Sequence, residues 1–240
     1  MKKINWNNVR LVVMLLVVVF LYSFSGKRNE TRWLKEAGIT FEETEYFITR
    51  DKVNKLLIQN YVNVTDVRKD KLDLNKLEKS LDDNPMIEKA EVYATIDGKL
   101  KAVIRQKTPI ARVYENSNSY YIDRNGDKMP LSESYTARVP LVTGAVDKIE
   151  SKKLRELLLY LFNNDFLKKN IIGIQVNPNG SLKMMSRGYN YDIMFGRPLN
   201  IERKFKNYMA FVQDATKDSM IGQYKTINLK FTQQVVCTKK

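Results

Sequence analysis

The chain has 240 residues, 43% of them hydrophobic and 28% charged, with six Pro and ten Gly; that is enough for one large or two small folded units, and it excludes a disordered polymer. It holds no His and a single Cys, Cys237, which excludes the commonest general base, the commonest zinc ligand and an internal disulfide. The formal charge is +14; residues 1–26 contain Lys2, Lys3 and Arg10 and no acid, which leaves an excess of eleven positive charges beyond them.

That excess calls for an anionic partner or surface. Lys and Arg alternate with acids, as in Glu202-Arg203-Lys204, and no nucleic-acid motif accompanies them. A dispersed basic surface facing anionic lipid headgroups or acidic wall polymers is the better reading than a nucleic-acid site.

Residues 11–20 are an unbroken apolar run, LVVMLLVVVF, with Lys2, Lys3 and Arg10 before it and Lys27 and Arg28 after it. A helix over residues 11–26 rises about 24 Å, short of a hydrocarbon core of about 30 Å, so Arg10 snorkels and the span begins nearer Trp6. Leu11, Leu15, Leu16 and Phe20 are the expected membrane anchor. A cleaved signal peptide is the competing reading: Ser23 and Ser25 make a weak small-x-small site, with large Phe24 between them and basic residues close behind. The flanking charges nearly balance, so the expected orientation, with residues 1–10 as a cytoplasmic tail, rests on how little chain precedes the span.

Residues 38–107 read as a small α+β unit. Residues 38–41 offer a strand, Thr49 precedes a helix with Val53, Leu56, Leu57 and Tyr61 on one side, and Asn75 with Glu78 reads as a capping box for a second helix that buries Leu74, Leu77 and Leu81. Asn84-Pro85 stops it. Ala90, Val92, Ala94 and Ile96 then alternate up to Asp97-Gly98, read as a two-residue turn, and Leu100, Ala102 and Ile104 alternate away from it. The order β-α-α-β-β predicts a three-stranded sheet with two helices on one face. An exposed edge would let such a unit pair with another chain, although the pattern is equally that of a small domain with no site of its own.

Residues 108–232 read as a mixed β-rich unit with two helices, followed by a tail over residues 233–240. Strands start at Pro109-Ile110-Ala111-Arg112-Val113 and Tyr120-Tyr121-Ile122-Asp123, with a turn at Asn125-Gly126. Asp123, Asn125 and Asp127 mimic the opening of a calcium loop, but the Gly falls at the fourth position and the twelfth is Ser134, so calcium is rejected. Leu154, Leu157, Leu158, Leu161 and Phe162 mark one helix; Ile172, Ile174 and Val176, then Leu182 and Met184, then Tyr191, Ile193 and Phe195 mark a meander. Asn200 is the expected cap of a last helix with Ile201, Phe205, Tyr208, Met209 and Val212 inside, and Ile227, Leu229 and Phe231 form a closing strand that ends near Gln233 at a sheet edge.

No phosphate loop, nucleophile motif or Cys/His cluster appears, and among 27 acids no spacing nominates a catalytic pair. The reading is a non-enzymatic protein with no cofactor, no metal and no small-molecule substrate. The Asn-x-Thr sites at Asn29 and Asn63 are what chance provides.

Several stretches, in this order, resemble the FtsQ family, also called DivIB, of bitopic bacterial cell-division proteins. They are Leu74-Asn75 with Glu78 and Leu81; Asn84-Pro85, Ile87, Ala90 and Val92; Pro109-Ile110-Ala111-Arg112; Tyr121-Ile122-Asp123 with Gly126; Val139-Pro140-Leu141-Val142-Thr143-Gly144; and Tyr224 with Ile227 to Phe231. The resemblance implies a cytoplasmic tail, a transmembrane helix, a POTRA domain and a β domain in the periplasm, in a scaffold that recruits the small coiled-coil proteins FtsB and FtsL to the septum. In the family the partner adds as a strand near a motif resembling Asp-Leu-Arg-Tyr; here the residues are Asn228-Leu229-Lys230-Phe231, so side-chain contacts differ while backbone pairing persists. The expected partner edge is therefore Asn228, Leu229, Lys230, Phe231, Gln234, Val235 and Val236, with Phe231 as anchor and Lys230 near a partner acid. Glu42-Glu43 stands where the family carries a Gly after the first POTRA strand. A POTRA-bearing secretion or assembly component is the alternative, and it would bring repeated POTRA units and a membrane β-barrel, of which the sequence carries no sign.

Overall fold

The computed structural model describes residues 6–30, 36–43, 47–58 and 72–240. The chain divides into two compact units, Met1–Gln106 and Lys107–Lys240.

Helix α1 (Trp6–Glu30) carries the apolar run, and its stretch Val9–Lys27 is long and apolar enough to cross a membrane. Leu11, Leu15, Leu16 and Phe20 are 58–67% exposed. A helix that is apolar all round and meets no protein core suits lipid, where its backbone bonds are satisfied internally.

The first unit continues with β1 (Glu36–Phe41), α2 (Arg50–Ile58), α3 (Leu74–Asp82), β2 (Ile87–Ala94) and β3 (Lys99–Gln106). The sheet order is β1-β3-β2, with β1 parallel and β2 antiparallel to β3. Val53 and Leu57 of α2 and Leu77 and Leu81 of α3 pack with Ala90, Val92, Leu100, Ala102 and Ile104 into one core. Tyr61, assigned to the first helix from its spacing, lies outside the described residues. Gln106 is buried, and its Oε1 accepts the amides of Phe47 at 2.8 Å and Ile48 at 3.1 Å. Its own amide donates to the Glu43 carboxylate, so one of the acids that replace the family glycine holds the end of β3.

Two local expectations are corrected. The cap of α3 is Asp73, whose Oδ1 accepts the Lys76 amide at 3.0 Å; Asn75 lies inside the helix, and Glu78 reaches β2 instead of the helix start. Asp73 has the extended backbone a cap needs, two residues ahead of the position the Asn-x-x-Glu pattern marked. The hairpin loop is longer than two residues: the Thr95 amide donates to Lys99 O, the Gly98 amide donates to Thr95 O, and Gly98 has φ +86°. Ile96 is therefore in the turn, 80% exposed, and not on the buried face.

The second unit is built on β4 (Pro109–Glu115), β5 (Asn118–Asp123), β6 (Lys128–Met129), β7 (Leu141–Gly144), β8 (Ile171–Val176), β9 (Leu182–Ser186), β10 (Asp192–Gly196), β11 (Tyr224–Asn228) and β12 (Val236–Lys239). Their order in one nine-stranded sheet is β12-β11-β10-β9-β8-β7-β4-β5-β6. Helices α4 (Ser151–Asn163), α5 (Asp165–Asn170) and α6 (Ile201–Lys217) complete it; α4 and α6 are the two expected helices and α5 is a short addition capped by Asn164. Leu154, Leu157, Leu158 and Leu161 pack with Phe205, Tyr208 and Val212 against the inward residues Val113, Val142, Ile174, Met184, Ile193 and Ile227.

The Val139–Gly144 stretch that contributes to the family resemblance leads into β7 and contains all of it, wedged between β4 and β8 with parallel pairing on both sides. A Cβ on Gly144, at φ +92°, would stand 2.2 Å from Val176 O, so glycine is required there. Asp123 accepts the amides of Asn125 and Asp127 through Oδ1 at 2.9 Å each, while Lys107 Nζ lies 3.3 Å from Oδ2. Its carboxylate closes a turn. Arg112 donates from Nε to Ser119 Oγ at 2.8 Å across the β4–β5 pair.

Three further expectations in this unit are corrected. Ile172 is 41% exposed because a register shift between Ile171 and Gly173 breaks the alternation, and Ile171 is buried instead. Asn200 stands before α6 in the left-handed region, φ 52°, and makes no side-chain cap. The closing strand does not run through Phe231: β11 ends at Asn228, and a separate strand, β12, returns along it.

Candidate partner-binding edge

β11 is occupied on both sides, by β10 in parallel and by β12 in antiparallel register, with Ile227 opposite Cys237 and Asn228 opposite Val236. The sheet edge near the C-terminus is therefore β12, and the expected edge over residues 229–236 divides into a loop and the first residue of that strand. The physical reason lies at Asn228, whose Oδ1 accepts the Lys230 amide at 3.0 Å, an Asx turn that redirects the backbone although the apolar alternation continues.

The expected site residues part company accordingly. Leu229 is 1% exposed, belongs to the core, and donates its amide to Met194 O at 3.0 Å, which extends the β10–β11 pairing. Phe231 is 52% exposed on the loop and Val236 is 41% exposed at the start of β12. Val235 is half-buried against the core, Gln234 is exposed and Asn228 is half-buried. The loop is tied to α6 by Asn207, whose Nδ2 donates to Thr232 O at 3.0 Å.

The Lys240 amide donates to Gln223 O at 2.9 Å, toward the β11 side. Successive residues of a strand turn their backbone groups to opposite edges, so those of Thr238 face β11 and those of Cys237 and Lys239 face outward. Among the described residues no strand pairs with that outward side. Cys237 itself is half-buried against the core, and burial raises the pKa of its thiol, which favours the neutral form over the thiolate.

Beside the loop lies a cleft of about 350 Å³ lined by Gly196, Arg197, Lys204, Lys230, Thr232 and four neutral residues, with no acid on its walls. Lys204 is 4% exposed, and its Nζ donates to Phe195 O and Arg197 O at 2.9 Å each, 4.6 Å from the Phe195 ring centroid. Burial pulls its pKa below the ordinary lysine value. Neither Arg197 nor Lys230 is in an ion pair among the described residues. Residues 107–240 hold 22 Lys and Arg against 12 Asp and Glu, so the basic excess of the chain is concentrated in the unit that carries this cleft. The arrangement offers an extended backbone a hydrogen-bonding edge and offers a carboxylate a cationic pocket next to it.

Sequence reasoning missed Cys237 and Lys239, Arg197 and Lys204. The run Val235-Val236-Cys237-Thr238 is a short strand signal after two Gln, and Lys204 is a cation set between Ile201 and Phe205 on an apolar helix face.

Residues 108–238 match the family described as FtsQ/DivIB, C-terminal related, and residues 36–105 match the POTRA-like domain. The chain belongs to the FtsQ/DivIB family. As a member it is a division-related scaffold, of a non-enzymatic family type, that works through contacts with other division proteins. Its apolar N-terminal helix fits a single-pass inner-membrane protein of the FtsQ/DivIB kind. No curated protein matches the chain as an individual relative.

Proposed function

We propose that this protein recruits FtsB- and FtsL-type partners to the septum by accepting an extended partner segment along the outer side of β12. Phe231 anchors that segment, and Arg197 and Lys230 receive an acidic side chain from it. The first ten residues lie in the cytoplasm and the two folded units outside it, with α1 in the lipid bilayer. The observation that carries the reading is that β12 ends a nine-stranded sheet, paired on one side and, among the described residues, without a strand on the other. Edge strands of this kind accept a further strand through main-chain bonds, and side-chain pockets beside them add specificity.

The site residues are correspondingly Phe231, Lys230 and Val236 from the expected set, joined by Arg197, Cys237 and Lys239. Leu229→Pro is a poor probe because that amide already serves inside the sheet. Cys237→Pro removes an outward donor instead. Full-length protein co-expressed with FtsB and FtsL is purified from membranes. Phe231→Ala is expected to weaken retention by about 2 kcal/mol, as truncating an interface aromatic does, and Cys237→Pro to reduce it with the fold intact by circular dichroism. Wild-type retention by both folded variants would place the partner elsewhere.

A further inference from the structure

The two edges of the three-stranded sheet in the first unit are not equivalent. Among the described residues strand β2 pairs with β3 alone, and on its other side the amides of Ala90 and Val92 donate to Asp82 Oδ1 and Glu78 Oε1 of α3, each at 2.7 Å. Two carboxylates four apart on a helix are separated by about 6 Å along its axis, and two amides two apart on a strand by about 6.7 Å, so the spacings match. Both acceptors are charged, which makes these bonds stronger than amide–amide pairing.

The edge they occupy is complementary to itself. Antiparallel pairing of β2 with β2 of a second copy, centred on Ala90, sets Lys89 of each copy opposite Glu91 of the other, so two of the three exposed charges of each strand meet opposite charges; the third, Glu88, falls opposite Val92 and pairs with Arg105 of its own unit. Ala90 and Val92 point their side chains into the core of their own unit, so such pairing needs no repacking inside. The main obstacle to it is α3.

We propose that Glu78 and Asp82 form a latch that fills the β2 edge from within and prevents this strand from pairing with β2 of a second copy of the chain. The inference concerns the POTRA-like unit and stands apart from the β12 reading, since neither α3 nor β2 enters that site. It also predicts that anything seeking to add a strand at β2 must first displace the two carboxylates.

The test uses full-length protein in detergent micelles. In the wild type, hydrogen exchange at the Ala90 and Val92 amides is expected to be slowed well beyond tenfold relative to an unstructured chain. Glu78→Ala with Asp82→Ala is expected to speed both by about tenfold or more and to produce a concentration-dependent dimer, beyond any wild-type association, in sedimentation velocity. Glu78→Gln with Asp82→Asn retains an acceptor oxygen at each site and is expected to remain as the wild type. Adding Lys89→Glu to the alanine pair places like charges opposite one another and is expected to abolish the dimer. The proposal is overturned if the wild-type amides exchange at the unstructured rate, or if a folded alanine pair associates no more than the wild type; the first reading needs no variant to fold.

Discussion

Asn207 of α6 holds the main chain at Thr232, twenty-five residues away, through a 3.0 Å hydrogen bond, and thereby fixes the loop that carries Lys230 and Phe231 to the helix next to the cationic cleft. That bond joins the last helix to the proposed partner edge. Asn207→Ala removes the donor from a half-buried site and is expected to cost about 1 kcal/mol of stability. Partner retention should fall while the unfolding midpoint moves only slightly; a loss of stability with retention unchanged would show that the loop is not part of the edge.

The cap of α3 provides a second test. Asp73→Ala is expected to destabilise the first unit by about 1 kcal/mol, whereas Asn75→Ala, exposed and inside the helix, should be nearly neutral. Denaturant midpoints of the two variants measure the difference, and equal losses would restore the capping box that the sequence pattern favoured.

Gln106 is a buried side chain that satisfies two backbone donors ahead of α2. Gln106→Leu puts an apolar side chain of similar size in its place and strands the amides of Phe47 and Ile48, and the expected loss is about 2 kcal/mol or more. A urea titration that follows the first unit, by exchange at Ile104 for example, reads this directly.

Lys204 gives the stability a pH dependence. Its pKa is lowered in the folded protein by burial, so between that value and the ordinary 10.5 the unfolded chain binds more protons at this group and stability rises with pH. Cys237 works in the opposite sense: its raised pKa stabilises below the ordinary thiol value of 9.0, and that contribution is lost as pH climbs through the folded value. Lys204→Met is expected to remove the alkaline rise, so the wild-type minus variant stability should increase from pH 8 to pH 10.5. A flat difference would mean that Lys204 titrates as a solvated lysine.

The parts of this fold that were legible in the sequence are those where one local pattern decides the structure. The helical spacing of Leu77 and Leu81 and the alternation of Leu100, Ala102 and Ile104 each belong to a continuous element, and both predicted the buried residues correctly. The failures fall where a short-range polar contact overrides a pattern that would otherwise continue. Ile96 keeps the alternation of β2 but lies in a loop closed at Thr95 and Lys99, and Phe231 keeps that of β11 but lies beyond the Asx turn at Asn228. At the candidate site the exposed aromatic Phe231 was recognisable through the resemblance of residues 228–231 to the family's closing-strand motif. The edge itself was not, because β12 spans four residues of which only two are strongly apolar, and the cleft assembles residues from three separate parts of the chain.

Amide hydrogen exchange at Cys237 and Lys239, measured on the full-length protein alone and after co-purification with FtsB and FtsL, tests the open edge most directly. The account predicts fast exchange in the isolated protein and strong protection in the complex. Protection already present in the isolated protein, or no change on complex formation, would contradict it.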